Sequence, residues 1–402
     1  MMSNNLLANI EMAPKDPILG ITEAFNADKN PHKVNLGVGV YTDENGKVPL
    51  LECVKQAETL IHSQQLPRGY QPIEGMALYN KEVQALVFGS DSEAIQEERI
   101  VSAQALGGTG GLKLGADFLQ RFHSQAEVLI SDPSWENHRA LFESAGFKVN
   151  TYPYYDAKSH GVNFSGMIEK LNACAQGTII VLHACCHNPS GVDLTDDQWH
   201  TIIDIVKAKN LVPFLDLAYQ GFSKSIDEDG LVIKKFVAAG LVTFVSNSFS
   251  KSFSLYGERI GAFHIACQSK EEAGRVLSQL KRVIRTNYSN PPAHGAQIVA
   301  TVLGNAELRA LWEKELGAMR NRIKEMRVLF VNQLKESLPQ HDFSFVAQQN
   351  GMFSFSGLTK EQVHQLRDNY SVYAVDSGRI CVAALNKNNM NAVIAAITGI
   401  LK

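Results

Sequence analysis

The sequence predicts an α/β protein with a large, mostly parallel sheet covered by helices and a smaller α+β domain beside it. Three observations lead there. A chain of 402 residues is too long for one small core and is expected to divide into a large domain and a second, smaller one. From about residue 100, helical patterns alternate with short apolar runs, the sign of βαβ units with both sheet faces covered. The last third opens on a long helical period and closes on short strand-like runs before a final helix.

The composition, 45% hydrophobic and 20% charged, is that of an ordinary globular protein, with no internal repeat or low-complexity tract. No apolar run approaches the ~18 residues a membrane span needs. The opening "MMSNNLLANIEMAPKDP" lacks the basic and apolar regions of a secretory signal, so the expected compartment is the cytoplasm. A formal charge of -3 offers no basic footprint for nucleic acid. Cys53, Cys174, Cys185, Cys186, Cys267 and Cys381 show no regular spacing and are expected to be reduced.

Along the chain, "LGGTGGLKLGADFLQRF" is a glycine cluster leading into a helix with Leu112, Ala116 and Leu119 on one face. It suits either a tight strand-to-helix turn or a phosphate cradle of backbone N–H groups at a helix N-terminus. Its glycine spacing is not that of a dinucleotide fingerprint. The following apolar runs each end in polar groups: Asp132 and Trp135, then His187 and Asn188, then Asp216 and Tyr219, then Ser248 and Lys251. In open α/β sheets ligands bind at the carboxyl ends of the strands, so Lys251 is placed to face a pocket. Leu308, Trp312, Leu316, Met319, Ile323, Met326, Phe330 and Leu334 recur at steps of three and four, predicting one long helix that links the domains. "QNGMFSFSGL" and "YAVDSGRICVAAL" read as short strands of the second domain, on which the first forty or so residues pack.

A desolvated lysine can form an imine with an aldehyde, and the aldehyde that fits the neighbouring residues is pyridoxal phosphate. Gly108, Thr109, Ser248 and Arg259 could hold its phosphate. Asp216 could pair with the ring nitrogen, Asn188 and Tyr219 could donate to the phenolic oxygen, and Trp135 could stack on the ring. Each residue alone has an ordinary role: a carboxylate caps turns, a tryptophan fills cores, an arginine makes surface ion pairs. The combination carries the specificity. The stretch "HACCHN" offers a rival, because in a strand His183, Cys185 and His187 would share one face and could hold zinc. With no second ligand cluster, packed cysteines and a hydrogen-bonded histidine are the preferred reading, and no metal is expected.

With these residues assembled, the chain resembles a class I, fold type I pyridoxal-phosphate-dependent aminotransferase of the aspartate and aromatic-amino-acid subgroup. The similarity runs from "DPILG" (Asp16 to Gly20) and "NLGVGVY" through "GGTG", "DPSWENH", "CCHNPSG", "AYQGF", "SNSFSKSFSLYGER" and "YSNPPAHGA" to "SGRICVA". The resemblance implies that Lys251 carries the cofactor as an imine and shuttles the Cα proton, while Asp216, supported by His138, holds the ring nitrogen. It implies a homodimer with shared sites, in which Tyr70 reaches the partner's phosphate. Arg379 would clamp the substrate α-carboxylate with Asn188 and the Gly39 backbone, and Arg285 would cross from the other subunit to a side-chain carboxylate. The planar guanidinium suits both tasks. The implied large domain spans about residues 48 to 318, and residues 1 to 47 and 319 to 402 form the small one.

The implied reaction moves the amino group of an L-amino acid to a 2-oxo acid, 2-oxoglutarate being expected. "TYPYYD" and "AGRVLSQLK" are similar to aromatic-amino-acid members, whereas Thr109 and Asn290 match the aspartate members. The favoured expectation is dual specificity for aromatic and acidic amino acids, with a dedicated aspartate enzyme as the alternative. A pyridoxal-phosphate lyase would share Lys251 and Asp216 without needing Arg285. A binding protein on the same fold would be expected to lack the lysine or to add a DNA-binding segment.

Overall fold

The computed structural model describes residues 7–13 and 19–402. Asp16, Pro17 and Ile18 of the "DPILG" stretch lie outside the described residues. A seven-stranded sheet forms the centre, in the order Ile100–Leu106, Ile260–Ala266, Thr243–Ser248, Val212–Leu217, Ile179–His183, Glu127–Asp132, Lys148–Pro153. Ile260–Ala266 is antiparallel to both its neighbours, and the other neighbouring pairs are parallel. This is the α/β architecture that the alternating apolar runs predict.

The strands are buried on both faces, which explains their near-continuous apolar character. Ile179 and Val181 join one hydrophobic cluster, while Ile180 and Leu182 point to the other. One cluster is closed by the helices Gly107–Phe122 and Lys270–Asn287. The other runs on without a break into the residues at the two ends of the chain.

Those ends pack together. Val34–Asn35 lies parallel to Val372–Tyr373, and Phe353–Phe355 lies antiparallel to Arg379–Cys381. The helix Ala306–Ser337 follows the predicted period, burying Leu308, Trp312, Leu316, Met319, Ile323, Met326, Phe330 and Leu334. Trp312 stacks on Phe253 at 4.6 Å and donates its indole N–H to the Ser252 carbonyl at 2.7 Å. This helix therefore grips the segment that follows Lys251.

The helix Gly107–Phe122 starts inside the glycine cluster. It lies close on the sheet because Gly115 has no side chain: a Cβ there would fall 2.4 Å from Phe214 Cζ and 2.7 Å from Phe263 Cε2. Both rings are fully buried and have nowhere to retreat. Gly115→Ala gains up to about 1 kcal/mol of helix propensity but overpacks the core at a cost of about 1–3 kcal/mol. The expected outcome in urea denaturation is a net loss of about 1 kcal/mol or more.

Candidate active site

Strand register assembles the site. His183 pairs with Asp216, and Asp216 with Ser246, so adjacent strands present polar residues in a row at their carboxyl ends. Above that edge opens a cavity of about 220 Å³. Gly108, Thr109, Ser248 and Arg259 line one corner. Trp135, Asp216, Tyr219 and Lys251 line the middle, and Gly39, Asn188 and Arg379 the far side.

Asp216 is 5% exposed. Burial pulls its carboxyl upward, but the hydrogen bond and charge from His138, with His183 and Lys251 nearby, hold it below its ordinary value. It is therefore an anion at neutral pH. His138 Nε2 lies 2.9 Å from Asp216 Oδ2 and Nδ1 lies 2.9 Å from Ser134 Oγ. An ionised carboxylate only accepts, so Nε2–H donates to Asp216, and Nδ1 shares the second hydrogen bond with the Ser134 hydroxyl.

Burial lowers the Lys251 ammonium to about 8; Asp216 works against that shift and Arg259 adds to it. Its Nζ sits 5.2 Å from the centre of the Tyr219 ring. Burial pushes the Tyr219 phenol well above its usual range, so it remains a donor at neutral pH.

On the far side, Arg379 is 1% exposed. Nη2 donates to the Gly37 carbonyl at 2.7 Å and Nη1 to Asn188 Oδ1 at 3.2 Å, and the guanidinium lies 4.4 Å from the Phe353 ring centre. Its Nε has no hydrogen-bond partner, and among the described residues no carboxylate is bonded to it. A buried cation left with a free donor and no anion is costly unless a ligand supplies the anion.

Two of the expected residues stand apart from this cavity. Tyr70 is 97% exposed. Arg285, at the end of the helix Lys270–Asn287, is exposed and donates to Ser289 Oγ. His138 is a second layer behind Asp216. The arrangement of His183, Cys185 and His187 on one strand face does not form, because the strand ends at His183 and Cys186 turns into the left-handed region at φ 52°. Cys185 and Cys186 instead gather with Asp229.

The cavity also contains residues that sequence reasoning gave no role there. Phe353 backs Arg379 from within "QNGMFSFSGL", and Tyr256 accepts the Tyr41 backbone N–H at 2.9 Å. Ser250 accepts from Arg259 Nη1 at 3.3 Å. The His183 ring has no partner for either nitrogen, and burial lowers it to about 3, so it is a neutral wall. Phe353 lies outside the strands of the large sheet, and the pairing of its own short strand with Arg379–Cys381 brings it in.

The donor set fits pyridoxal phosphate. A Cβ on Gly107 would fall 2.6 Å from Arg259 Nη2, and one on Gly108 would fall 3.1 Å from Ser248 Cβ, so the corner is open only because side chains are missing. Backbone N–H groups of a helix N-terminus and a guanidinium there suit a phosphate. A buried anion and a lysine of lowered pKa on the same cavity suit the ring nitrogen and the aldehyde.

Residues 31–397 match the family Aminotransferase class I and II. The chain belongs to this family. This aminotransferase is 59% identical to the aspartate aminotransferase of Pseudomonas aeruginosa, over 99% of this chain and all of that one. Its fold superposes with a TM-score of 0.97 on an aromatic-amino-acid aminotransferase from Burkholderia pseudomallei covalently bound to pyridoxal phosphate. That structure is 61% identical and covered over 99% of this chain and 100% of its own. An aromatic-amino-acid aminotransferase from Psychrobacter sp. B6, cocrystallised with aspartic acid, is 43% identical at a TM-score of 0.97, covered over 99% and 100%. The aminotransferase is thus a pyridoxal-phosphate-dependent transaminase of fold type I, acting on amino and 2-oxo acids.

The lowered pKa of Lys251 is measurable in the protein freed of cofactor. Acylation of Lys251 followed by mass spectrometry should show a pH midpoint near 8, against ~10.4 for surface lysines. Asp216 raises the Lys251 pKa, so Asp216→Ala should move that midpoint lower still.

Proposed function

We propose that this aminotransferase accepts both aromatic and acidic L-amino acids and passes their amino group to 2-oxoglutarate in two half-reactions. The observation that carries the reading is the buried Arg379, with its unpaired Nε, across the cavity from Lys251. Such an arginine asks for the α-carboxylate that every amino acid and 2-oxo acid has. Further support comes from the Psychrobacter relative, an aromatic-amino-acid enzyme cocrystallised with aspartic acid.

When bound, pyridoxal phosphate supplies an aldehyde to take the amino group and a cationic ring to hold the electron pair released at Cα. Asp216, kept ionised by His138, holds the proton on the ring nitrogen; each pKa unit of that preference is worth about 1.4 kcal/mol. Gly108, Thr109, Ser248 and Arg259 bind the phosphate, while Asn188 and Tyr219 donate to the phenolic oxygen. Trp135 covers the ring. Lys251 would anchor the cofactor by its amine, and that amine, when free, would be the base placed to take the Cα proton of the substrate. A pKa near 8 leaves a useful fraction of that amine unprotonated at neutral pH. Asn188 and the Gly39 backbone assist Arg379 with the α-carboxylate.

In this reading the working unit is a homodimer. Leu66, Tyr70 and Leu78 are exposed, a placement suited to a second copy of the chain. Tyr70 then reaches the partner's phosphate, and Arg285 the partner's substrate side chain. Residues 48–318 form the large domain and the two ends of the chain the small one. The six buried free thiols suit the cytoplasm. Among the described residues no helix is long and apolar enough to cross a membrane. The competing reading is an enzyme dedicated to aspartate, favoured by the Pseudomonas relative.

Purified holoenzyme mixed separately with L-aspartate and L-phenylalanine, without an oxo acid, distinguishes the two. Loss of the resting cofactor absorbance with both substrates is the expected result, whereas a response to aspartate alone would favour the dedicated enzyme. Lys251→Ala should lose nearly all turnover; normal turnover in that variant would sink the assignment. Arg285→Leu should lower kcat/KM for aspartate about a hundredfold or more, as for loss of one partner of a buried charge pair. The value for phenylalanine should fall less than about tenfold.

A further inference from the structure

Arg327, on the long helix Ala306–Ser337, is 1% exposed, and its hydrogen-bond partners are all uncharged. Nη1 donates to the Val346 carbonyl at 3.0 Å and to Ser354 Oγ. Nη2 reaches the carbonyls of Asn350 at 3.3 Å, Gly351 at 2.8 Å and Phe353 at 2.7 Å. Every acceptor lies in one stretch, residues 346–354. Burial lowers the guanidinium only to about 10, so it is a cation at neutral pH.

A buried cation is costly, and so is a loop whose carbonyls point into the core. Each satisfies the other here. The planar fork of an arginine can serve acceptors spread over one plane, which the compact ammonium of a lysine cannot.

The stretch held this way touches the carboxylate side of the cavity from three directions. The Phe353 ring lies 4.4 Å beneath the Arg379 guanidinium. The same ring abuts Gly39, where a Cβ would fall 2.6 Å from Phe353 Cζ. Asn350 donates its backbone N–H to the Gly191 carbonyl at 2.7 Å, and Gly351 packs on Cys186, so both flanks of Asn188 are fixed.

We propose that Arg327 is a positioning residue for the α-carboxylate site: by binding residues 346–354 from behind, it sets where Phe353 and the Asn188 loop hold Arg379. The proposal rests on the reading of Arg379 given above. Because every substrate carries an α-carboxylate, Arg327 acts on aromatic and acidic substrates alike, unlike Arg285.

Holoenzyme variants Arg327→Lys and Ser354→Ala test it, with 3-phenylpropionate as the probe, a carboxylate that has no amino group to react. In calorimetric titration Arg327→Lys should bind 3-phenylpropionate about tenfold or more weakly, and Ser354→Ala about threefold or more weakly. KM for L-phenylalanine and L-aspartate should rise by similar factors in Arg327→Lys, with kcat changed less than about threefold and cofactor content unchanged. Unchanged affinity for 3-phenylpropionate in both variants, or in Ser354→Ala if the lysine variant fails to fold, would overturn the proposal whatever happens to Tm. Arg379→Leu provides the separate control. If it binds the probe as tightly as the parent, the carboxylate reading itself fails.

Discussion

The site depends on keeping one anion, Asp216, charged inside the sheet. An isolated carboxylate at that depth would favour its neutral form, because burial removes the water that stabilises the charge. Here the sheet provides the replacement: His138 donates from the helix after one strand, and Lys251 approaches from the loop after another. The relation is mutual, since Asp216 limits how far burial lowers the Lys251 ammonium. Had Asp216 been neutral, Lys251 would be a weaker base and the ring nitrogen on the proposed reading would have no counter-charge. Other features serve this pair, from the register that sets Asp216 beside His183 to the grip of Trp312 behind Lys251.

The two ends of the cavity use different physics. At the glycine corner, space is made by omission: side chains on Gly107 and Gly108 would collide with Arg259 and Ser248. The backbone can then approach an anion closely, with the helix N-terminus behind it. At the Arg379 end the group is enclosed instead by neutral acceptors and an aromatic face. An arginine satisfied by uncharged partners holds its place without being neutralised, and its remaining donor is left for a ligand. Arg327 shows the same solution, with both its terminal nitrogens turned on the acceptors of residues 346–354.

Much of this was legible in the sequence because parallel strands have a simple grammar. A run of Ile, Val and Leu that ends in a polar residue states both that the strand is buried and where its side chain emerges. Asp216, Ser248 and Lys251 were readable for that reason, as was the helix from Ala306 onward by its period. Tyr70 and Arg285 came only from the family pattern, and a single chain leaves both on the surface. Phe353, Tyr256 and Arg327 carried no local signal. Their roles depend on tertiary pairings that no local pattern announces, whether across the whole chain, as between Tyr41 and Tyr256, or between one helix and a later loop, as for Arg327. The antiparallel strand Ile260–Ala266 was likewise invisible, because apolar runs look the same in either direction.

The bonds of Arg379 to Gly37 and Asn188 have a consequence for how the protein is made. During synthesis the glycine corner and Lys251 have all left the ribosome once Arg259 has emerged. Arg379 comes out only 120 residues later (379 − 259), and the helix Met390–Leu401 after it. Domains fold as units, N-terminal parts first. The nascent chain can therefore order the half of its cavity suited to the cofactor while the half suited to substrate is still waiting for its arginine.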